Sequence, residues 1–298
     1  MLADLVHEFT AKGMTSFSFM DIKRLKDSSP VAIKAALRRL QRKGEIAMPY
    51  RGFYVIVPPE YRVMACPPAE QFVPDLMDHL SEVYYAGLLS AAEYHGAAHH
   101  RPQIFQVMVS KSRRPIACGK VRVEFIFRKN ADKIPTQQRN TPAGVIKVAT
   151  PEATAFDLIG YARHCGGMDN VATILSELLE KLDAGRLIET AEFSPLAWVQ
   201  RLGYLLDVIG GQTKSEGLAE YVRVSSYYIY IVFAVIFGIY PYCSSRTEHY
   251  LLFWLECSCF YPKTGGYINE YAWNVRVFVF DGIFLLSVLC LFFPLYGN

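Results

Sequence analysis

Cysteine is sparse in the first 222 residues of this 298-residue sequence. Cys66, Cys118 and Cys165 stand far apart there, which is not the spacing of a disulfide framework and suits a reducing cytosol. Charged residues interrupt the N-terminus at Asp4 and Glu8, so we expect no secretory signal peptide. These features predict a cytoplasmic protein.

Motifs of the common enzyme classes are also missing. The sequence contains no Gly-x-Ser-x-Gly, no phosphate-binding P-loop and no Gly-x-Gly-x-x-Gly followed by an acidic residue. A nuclease needs clustered carboxylates for a metal ion, and no Glu-x-Lys follows Glu124 on its expected strand. A nucleotidyltransferase needs an Asp-x-Asp pair beside a Gly-Ser turn, which we do not find. We therefore expect a protein that is not an enzyme and that needs no cofactor.

Positive charge is concentrated at the N-terminus. Residues 1–57 carry ten Lys and Arg against five Asp and Glu, a net charge of +5. Residues 58–222 have a net charge of −2, and residues 223–298 are neutral. Such a localised basic excess is typical of a nucleic-acid partner.

The N-terminal segment has the order of elements of a winged helix-turn-helix. Short helices are predicted over 2–11 and 19–25, the second after a capping box from Ser18 to Asp21. A third helix over 30–43 follows a Ser-Pro start signal and ends before a glycine. Two strands, over 45–48 and 52–57, then predict a hairpin wing with residues 49–51 at its tip.

The third helix carries the specific signal. Ile33, Leu37 and Leu40 form one narrow apolar stripe that predicts packing against the first two helices. The opposite side is cationic, as expected of a helix that enters the major groove of double-stranded DNA. The predicted DNA-binding residues of the helix, its N-terminal turn and the wing are Ser28, Ser29, Lys34, Arg38, Arg39, Arg42, Lys43, Tyr50 and Arg51. A solvated basic helix, or a wing that contacts only protein, is the alternative.

Composition divides the rest of the chain into three parts. A proline-rich linker over 61–68 separates the winged helix of residues 1–60 from a mixed α/β domain over 69–222. Strands are predicted at 104–110, 121–127 and 145–148, and helices at 71–80, 87–95, 150–162, 170–182 and 198–209. The predicted fold class is α+β, followed by an anomalous apolar tail over 223–298.

Four motifs and the end of the wing are similar to AbiEi-type antitoxins. They occupy residues 84–103, 148–158, 166–173, 200–206 and 51–54, and the resemblance covers about residues 1–222. It implies a transcriptional regulator of a type IV toxin–antitoxin operon involved in phage defence. By this resemblance, the winged helix binds inverted repeats upstream of its own operon, which would suit a homodimer on DNA. The second domain supports antitoxicity and cooperative binding, and the cognate toxin is nucleotidyltransferase-like.

Several polar residues of the second domain are further candidates. Lys111, Arg113 and Arg114 form a basic cluster between two strands, either a second phosphate contact or a solvated loop. His95 and His99 have helical spacing, but Gly96 interrupts that helix and no other ligand is evident, so we expect no metal site. Asp157, among apolar neighbours, is expected to be a buried and hydrogen-bonded structural residue.

The tail leaves three interpretations open. Residues 224–245 and 282–298 carry no charge, and by length the first stretch is a transmembrane candidate. The tail is therefore a membrane anchor for a tethered DNA-binding regulator, a buried apolar domain, or the out-of-frame product of a frameshift. The abrupt change near residue 222 and the richness in Cys, Tyr and Phe favour the frameshift, in which case antitoxicity could be impaired.

Overall fold

The computed structural model describes residues 2–25, 28–97 and 102–236, and over these ranges the chain has a mixed α+β structure. The N-terminal elements follow the predicted order, with one additional short strand. They are α1 (Leu2–Ala11), β1 (Ser16–Ser18), α2 (Phe19–Leu25), α3 (Pro30–Arg42), β2 (Ile46–Tyr50) and β3 (Phe53–Ile56).

These N-terminal elements share one apolar core. The strands form an antiparallel sheet in the order β1-β3-β2, with β3 buried along its whole length. The predicted stripe of α3 faces this core: Ile33, Leu37 and Leu40 are all buried. The other buried members of the core are Leu5, Val6, Phe9, Phe17, Ile22, Ile46, Tyr54 and Ile56.

The hairpin differs from its prediction at the tip. Pro49 and Tyr50 belong to β2 rather than to the loop, so only Arg51 and Gly52 make the turn. The pairing with β3 shifts register between Ala47 and Tyr50. Such a bulge accommodates a proline, which has no N–H to donate to the ladder.

The linker of residues 61–68 is exposed at its start and buried at its end. A short 3₁₀ helix (Pro59–Tyr61) leads into it, Val63 is exposed, and Cys66 near its end is fully buried. The Lys120 amide donates a 2.9 Å hydrogen bond to the Met64 carbonyl, which fastens the segment to the second half of the structure.

The second half is built on a six-stranded mixed sheet in the order β6-β7-β5-β4-β9-β8. The predicted strands correspond to β5, β7 and β9, whereas the short β4 and β6 and the polar β8 were not predicted. The strands are β4 (Tyr84–Ala86), β5 (Phe105–Val109), β6 (Ile116–Cys118), β7 (Val121–Phe127), β8 (Thr136–Thr141) and β9 (Gly144–Ala149). Two pairs, β4 with β9 and β5 with β7, are parallel.

Helices complete this half. They are α4 (Ala69–His79), α5 (Leu88–Tyr94), α6 (Pro151–Gly160), α7 (Met168–Leu178), α8 (Ala184–Ala191), α9 (Leu196–Val208) and α10 (Gln212–Ile236). The central one is α6, capped by the Thr150 hydroxyl and buried from Glu152 to Ile159. It contacts α5, α7, α8 and α9, so the core of this half lies around it. Sequence reasoning had not predicted α8 or α10.

Most of the apolar tail lies outside the described residues, and so do residues 237–245 of the proposed anchor at 224–245. The last described helix, α10, runs without a break across residue 222, where the resemblance to the antitoxin family ends. No helix within the described ranges is long and apolar enough to cross a bilayer.

Candidate nucleic-acid interface

The basic helix α3 starts and ends as its sequence dictates. The Ser29 hydroxyl accepts a 3.2 Å hydrogen bond from the Ala32 amide, and Pro30 occupies the first helical position. At the other end the Lys43 amide bonds to the Arg39 carbonyl, and Gly44 adopts a φ of +70°. These two caps fix where α3 begins and ends.

One side of α3 is exposed along its whole length. Its outermost stripe, hereafter the outward face, consists of Val31, Ala35, Arg38 and Arg42, which follow the i, i+4, i+7, i+11 spacing of one helix side. All four are exposed, Val31 to 77%. The other predicted contact residues, which are Ser28, Ser29, Lys34, Arg39 and Lys43, are exposed as well.

Val31 was not included among the predicted contact residues, because the residues of α3 were selected by their charge. The exposure of Val31 is visible only in the structure. Val31 is one of several exposed aliphatic side chains in the described residues, and it lies in the N-terminal turn, where a recognition helix contacts base edges. A methyl-bearing side chain there suits contact with thymine methyl groups. The outward face is therefore small and apolar towards its N-terminus and cationic towards its C-terminus.

Two of the basic side chains at this surface already have neighbours. The Lys34 ammonium lies 5.7 Å from the centre of the Phe19 ring, a cation–π distance that holds it near the start of α2. The Lys43 ammonium lies 4.0 Å from a Glu45 carboxylate oxygen. This ion pair makes Lys43 less available for a phosphate contact.

The hairpin places its tip beside the chain entering α2. The Phe19 amide donates a 2.8 Å hydrogen bond to the Gly52 carbonyl. Tyr50 and Arg51 are both exposed at the tip. Gly52 has a φ of +83°, a conformation that glycine adopts without strain.

The second half of the structure contacts the N-terminal sheet and leaves the basic side chains of α3 uncovered. The Ser16 hydroxyl donates a 2.6 Å hydrogen bond to the Asp75 carboxylate on α4, and the rings of Phe53 and His79 lie 5.5 Å apart. Strand β2 packs against β6. The two halves therefore meet through the sheet and α4, while Arg38 and Arg42 stay exposed.

The second basic cluster is divided by the structure. Lys111 and Arg114 are exposed, but Arg113 is half-buried and its Nε forms an ion pair with the buried carboxylate of Glu82. Arg113 therefore has a structural partner, and only the other two members present free charge to an anion.

The second half of the structure contains a buried polar centre. Asp157 and Arg128 form an ion pair inside the core, and the Tyr85 hydroxyl donates a 3.0 Å hydrogen bond to the same carboxylate. Burial raises the pKa of Asp157 to about 6, although Arg128 and Tyr85 act in the opposite direction. The expectation of a buried, hydrogen-bonded Asp157 is confirmed.

His95 is also a core residue. Its Nε2 lies 2.8 Å from the Ala149 carbonyl, and burial lowers the pKa of the ring, which keeps it neutral. His99 lies outside the described residues. Within the part of the chain that the structure describes, no three His, Cys, Asp or Glu side chains are grouped to hold a metal ion.

Comparison with known proteins shows which family part of the chain is similar to. Residues 85–208 match the AbiEi antitoxin C-terminal domain, which confirms the resemblance seen in the sequence motifs of that region. No curated protein matches the chain. Among solved structures, the RV2827C protein from Mycobacterium tuberculosis is similar in fold, with a TM-score of 0.55 and 19% identity over 73% of this chain and 80% of that chain.

Proposed function

We propose that the protein is a DNA-binding antitoxin that represses its own operon, on the premise that residues 85–208 match the AbiEi antitoxin C-terminal domain. The antitoxin family is not an enzyme class, and membership implies a toxin partner in general. The proposal adds to this domain a winged helix-turn-helix over residues 1–60 as the DNA-binding part.

The exposed outward face of α3 is the observation that carries the proposal. Its buried side is anchored by Ile33, Leu37 and Leu40, so the helix is rigid while Arg38 and Arg42 remain free. The major groove of B-DNA admits an α-helix, and arginine there reaches either guanine O6 and N7 or the phosphates. Because α3 has the basic composition and the exposure that this docking needs, it is the proposed recognition helix.

The remaining contacts follow from this docking. Ser28 and Ser29 at the start of α3 would contact phosphate, as helix N-termini do. Tyr50 and Arg51 at the hairpin tip would contact the adjacent backbone or minor groove. An inverted repeat offers two equivalent half-sites, so we expect two copies of the chain on one operator. Lys111 and Arg114 are proposed as a subsidiary phosphate contact.

Binding to a fluorescent duplex from the region upstream of the gene tests the DNA-binding part. The double variant Arg38→Ala/Arg42→Ala should lose at least tenfold in affinity, since both side chains leave the proposed interface. The matched control is Arg186→Ala/Arg201→Ala, which removes the same charge from exposed positions on α8 and α9. Equal affinities of the two double variants would overturn the assignment of α3.

We further propose that the counteracted toxin is nucleotidyltransferase-like and is encoded in the same operon. Expression of the neighbouring gene alone should arrest growth. Co-expression of the gene for this chain should restore growth. The Arg38→Ala/Arg42→Ala variant should still restore growth when both genes are expressed from unrelated promoters, because antitoxicity is assigned to the second domain. Loss of rescue in this variant would contradict the division of labour.

A further inference from the structure

The segment before α4 runs alongside the β6–β7 turn in the opposite direction. The Lys120 amide donates a 2.9 Å hydrogen bond to the Met64 carbonyl. The next residue along the segment, Ala65, lies against Gly119. A Cβ added at Gly119 would collide with the Met64 carbonyl oxygen. Both Ala65 and Gly119 have positive φ, at 56° each. The next pair in this alignment is Cys66 and Cys118.

These two cysteines face each other in the interior. Both are free, buried thiols, and they continue the backbone pairing of Met64 with Lys120 and of Ala65 with Gly119. Cys66 has no exposed surface, whereas Cys118 keeps 9% of its surface exposed. They are 52 positions apart in the sequence and belong to different structural segments, so their approach is a property of the fold.

The two neighbouring thiols are unequal. The nearby Cys66 thiol lowers the pKa of Cys118, with further support from the Met48 backbone and Arg122, against the effect of burial. The nearby Cys118 thiol and burial raise the pKa of Cys66. The thiolate is the reactive form of cysteine, so Cys118 is the member of the pair that reacts first.

We propose that Cys66 and Cys118 are an oxidisable thiol pair, which a hydroperoxide converts to an intramolecular disulfide. The Cys118 sulfur attacks one peroxide oxygen, the O–O bond breaks, and a sulfenic acid and water (or an alcohol) are formed. The Cys66 sulfur then attacks the Cys118 sulfur, the S–O bond breaks, and a second water leaves. The two sulfurs lose two electrons in total, and the peroxide takes them up.

The position of this disulfide gives it a structural effect. Cys66 lies in the segment that leaves the N-terminal half, and Cys118 ends β6, which packs against β2. A bond between them would fasten this connecting segment to the sheet of the second half beside the hairpin. Because the crosslink closes a long loop, it should raise the midpoint of thermal unfolding by several degrees.

Peptide mapping of the full chain after treatment with hydrogen peroxide tests the proposal. Trypsin cuts after Arg62 and Lys111 and after Arg113 and Lys120, so each cysteine lies in a peptide that holds no other. We expect a disulfide-linked pair of these two peptides without reducing agent, and its loss with dithiothreitol. The buried Cys165, whose pKa burial raises to about 12, should remain a thiol.

The variant Cys66→Ser separates the two steps. It should stop at a Cys118 sulfenic acid, which dimedone labels, and its unfolding midpoint should no longer respond to peroxide. Intact Cys66 and Cys118 thiols in the oxidised wild type, or a disulfide of either with another cysteine, would overturn the proposal.

Discussion

The Arg128 guanidinium Nη1 lies 2.6 Å from the Asp157 carboxylate Oδ1, with both side chains almost completely buried. The Arg128 Cζ lies 5.1 Å from the centre of the Trp198 ring. The Tyr85 hydroxyl donates a hydrogen bond to the other carboxylate oxygen of Asp157. The pair joins the end of β7 to α6, so it connects the six-stranded sheet to the central helix of the second half. Its burial makes it a structural centre rather than a binding surface.

The pH dependence of stability should show the raised pKa of Asp157. This pKa is about 6 in the native state against 3.8 ordinarily, so the native state takes up a proton before the unfolded chain does. Stability from this group is therefore gained on acidification and lost as the pH rises from about 4 to 6. Relative to Asp157→Asn, the wild type should gain about 1 kcal/mol in free energy of unfolding between pH 7 and pH 5. Urea denaturation of both proteins at several pH values measures this difference. A difference in free energy of unfolding that does not change with pH would refute the prediction.

Removal of the positive partner should be costly. Arg128→Met leaves the Asp157 carboxylate unpaired in the core, and we expect a loss of about 3–5 kcal/mol in free energy of unfolding at pH 7. The neighbouring exposed lysine supplies the control, Lys129→Met, which should change stability by less than about 0.5 kcal/mol. A loss of similar size in the two variants would contradict the assigned role of the ion pair.

Two glycines in helices should respond oppositely to alanine. At Gly160 a Cβ would collide with the Trp198 ring, so Gly160→Ala should destabilise the protein by about 1–3 kcal/mol. At Gly203, inside α9, the nearest atom is the Leu218 Cβ at an ordinary 3.8 Å. Gly203→Ala should therefore stabilise by about 0.5–1 kcal/mol through helix propensity. Thermal unfolding measures whether each variant is more or less stable than the wild type. A destabilised Gly203→Ala variant would contradict the packing described.

Sequence reasoning succeeded where local rules dominate. The Ser-Pro start of α3 and its apolar stripe are determined by capping and helical periodicity, and both were predicted correctly. The hairpin was predicted, but Pro49 and Tyr50 were placed in its loop, whereas a bulge at this position keeps both in β2. Strands β4 and β6 have three residues each, too few for an alternating pattern to be recognised.

The long-range relationships could not be predicted from one sequence. Arg128 carries no local signal for Asp157, 29 positions further on, and Cys66 carries none for Cys118. Tertiary packing alone brings such pairs together. The same holds for Arg113, whose ion pair with Glu82 separates it from its two basic neighbours. Exposure of Val31 was likewise visible only in the fold.

The exposed valine of α3 leads to a prediction about base contacts. If Val31 contacts thymine methyl groups, deoxyuridine in place of thymine throughout the duplex should weaken wild-type binding several-fold. The Val31→Ala variant should bind more weakly to the thymine duplex and should respond less to the replacement. Fluorescence anisotropy with the two duplexes measures the four affinities. Equal responses of wild type and variant would exclude this contact.

The salt dependence of DNA binding tests most directly whether the cationic helix α3 enters the duplex. Affinity for the upstream duplex should fall steeply between 50 and 200 mM salt, because phosphate contacts release counterions. Without Arg38 and Arg42, the slope of log K against log salt should become shallower by about 1 to 2. A slope near zero in the wild type, or the same slope in wild type and Arg38→Ala/Arg42→Ala, would contradict the account.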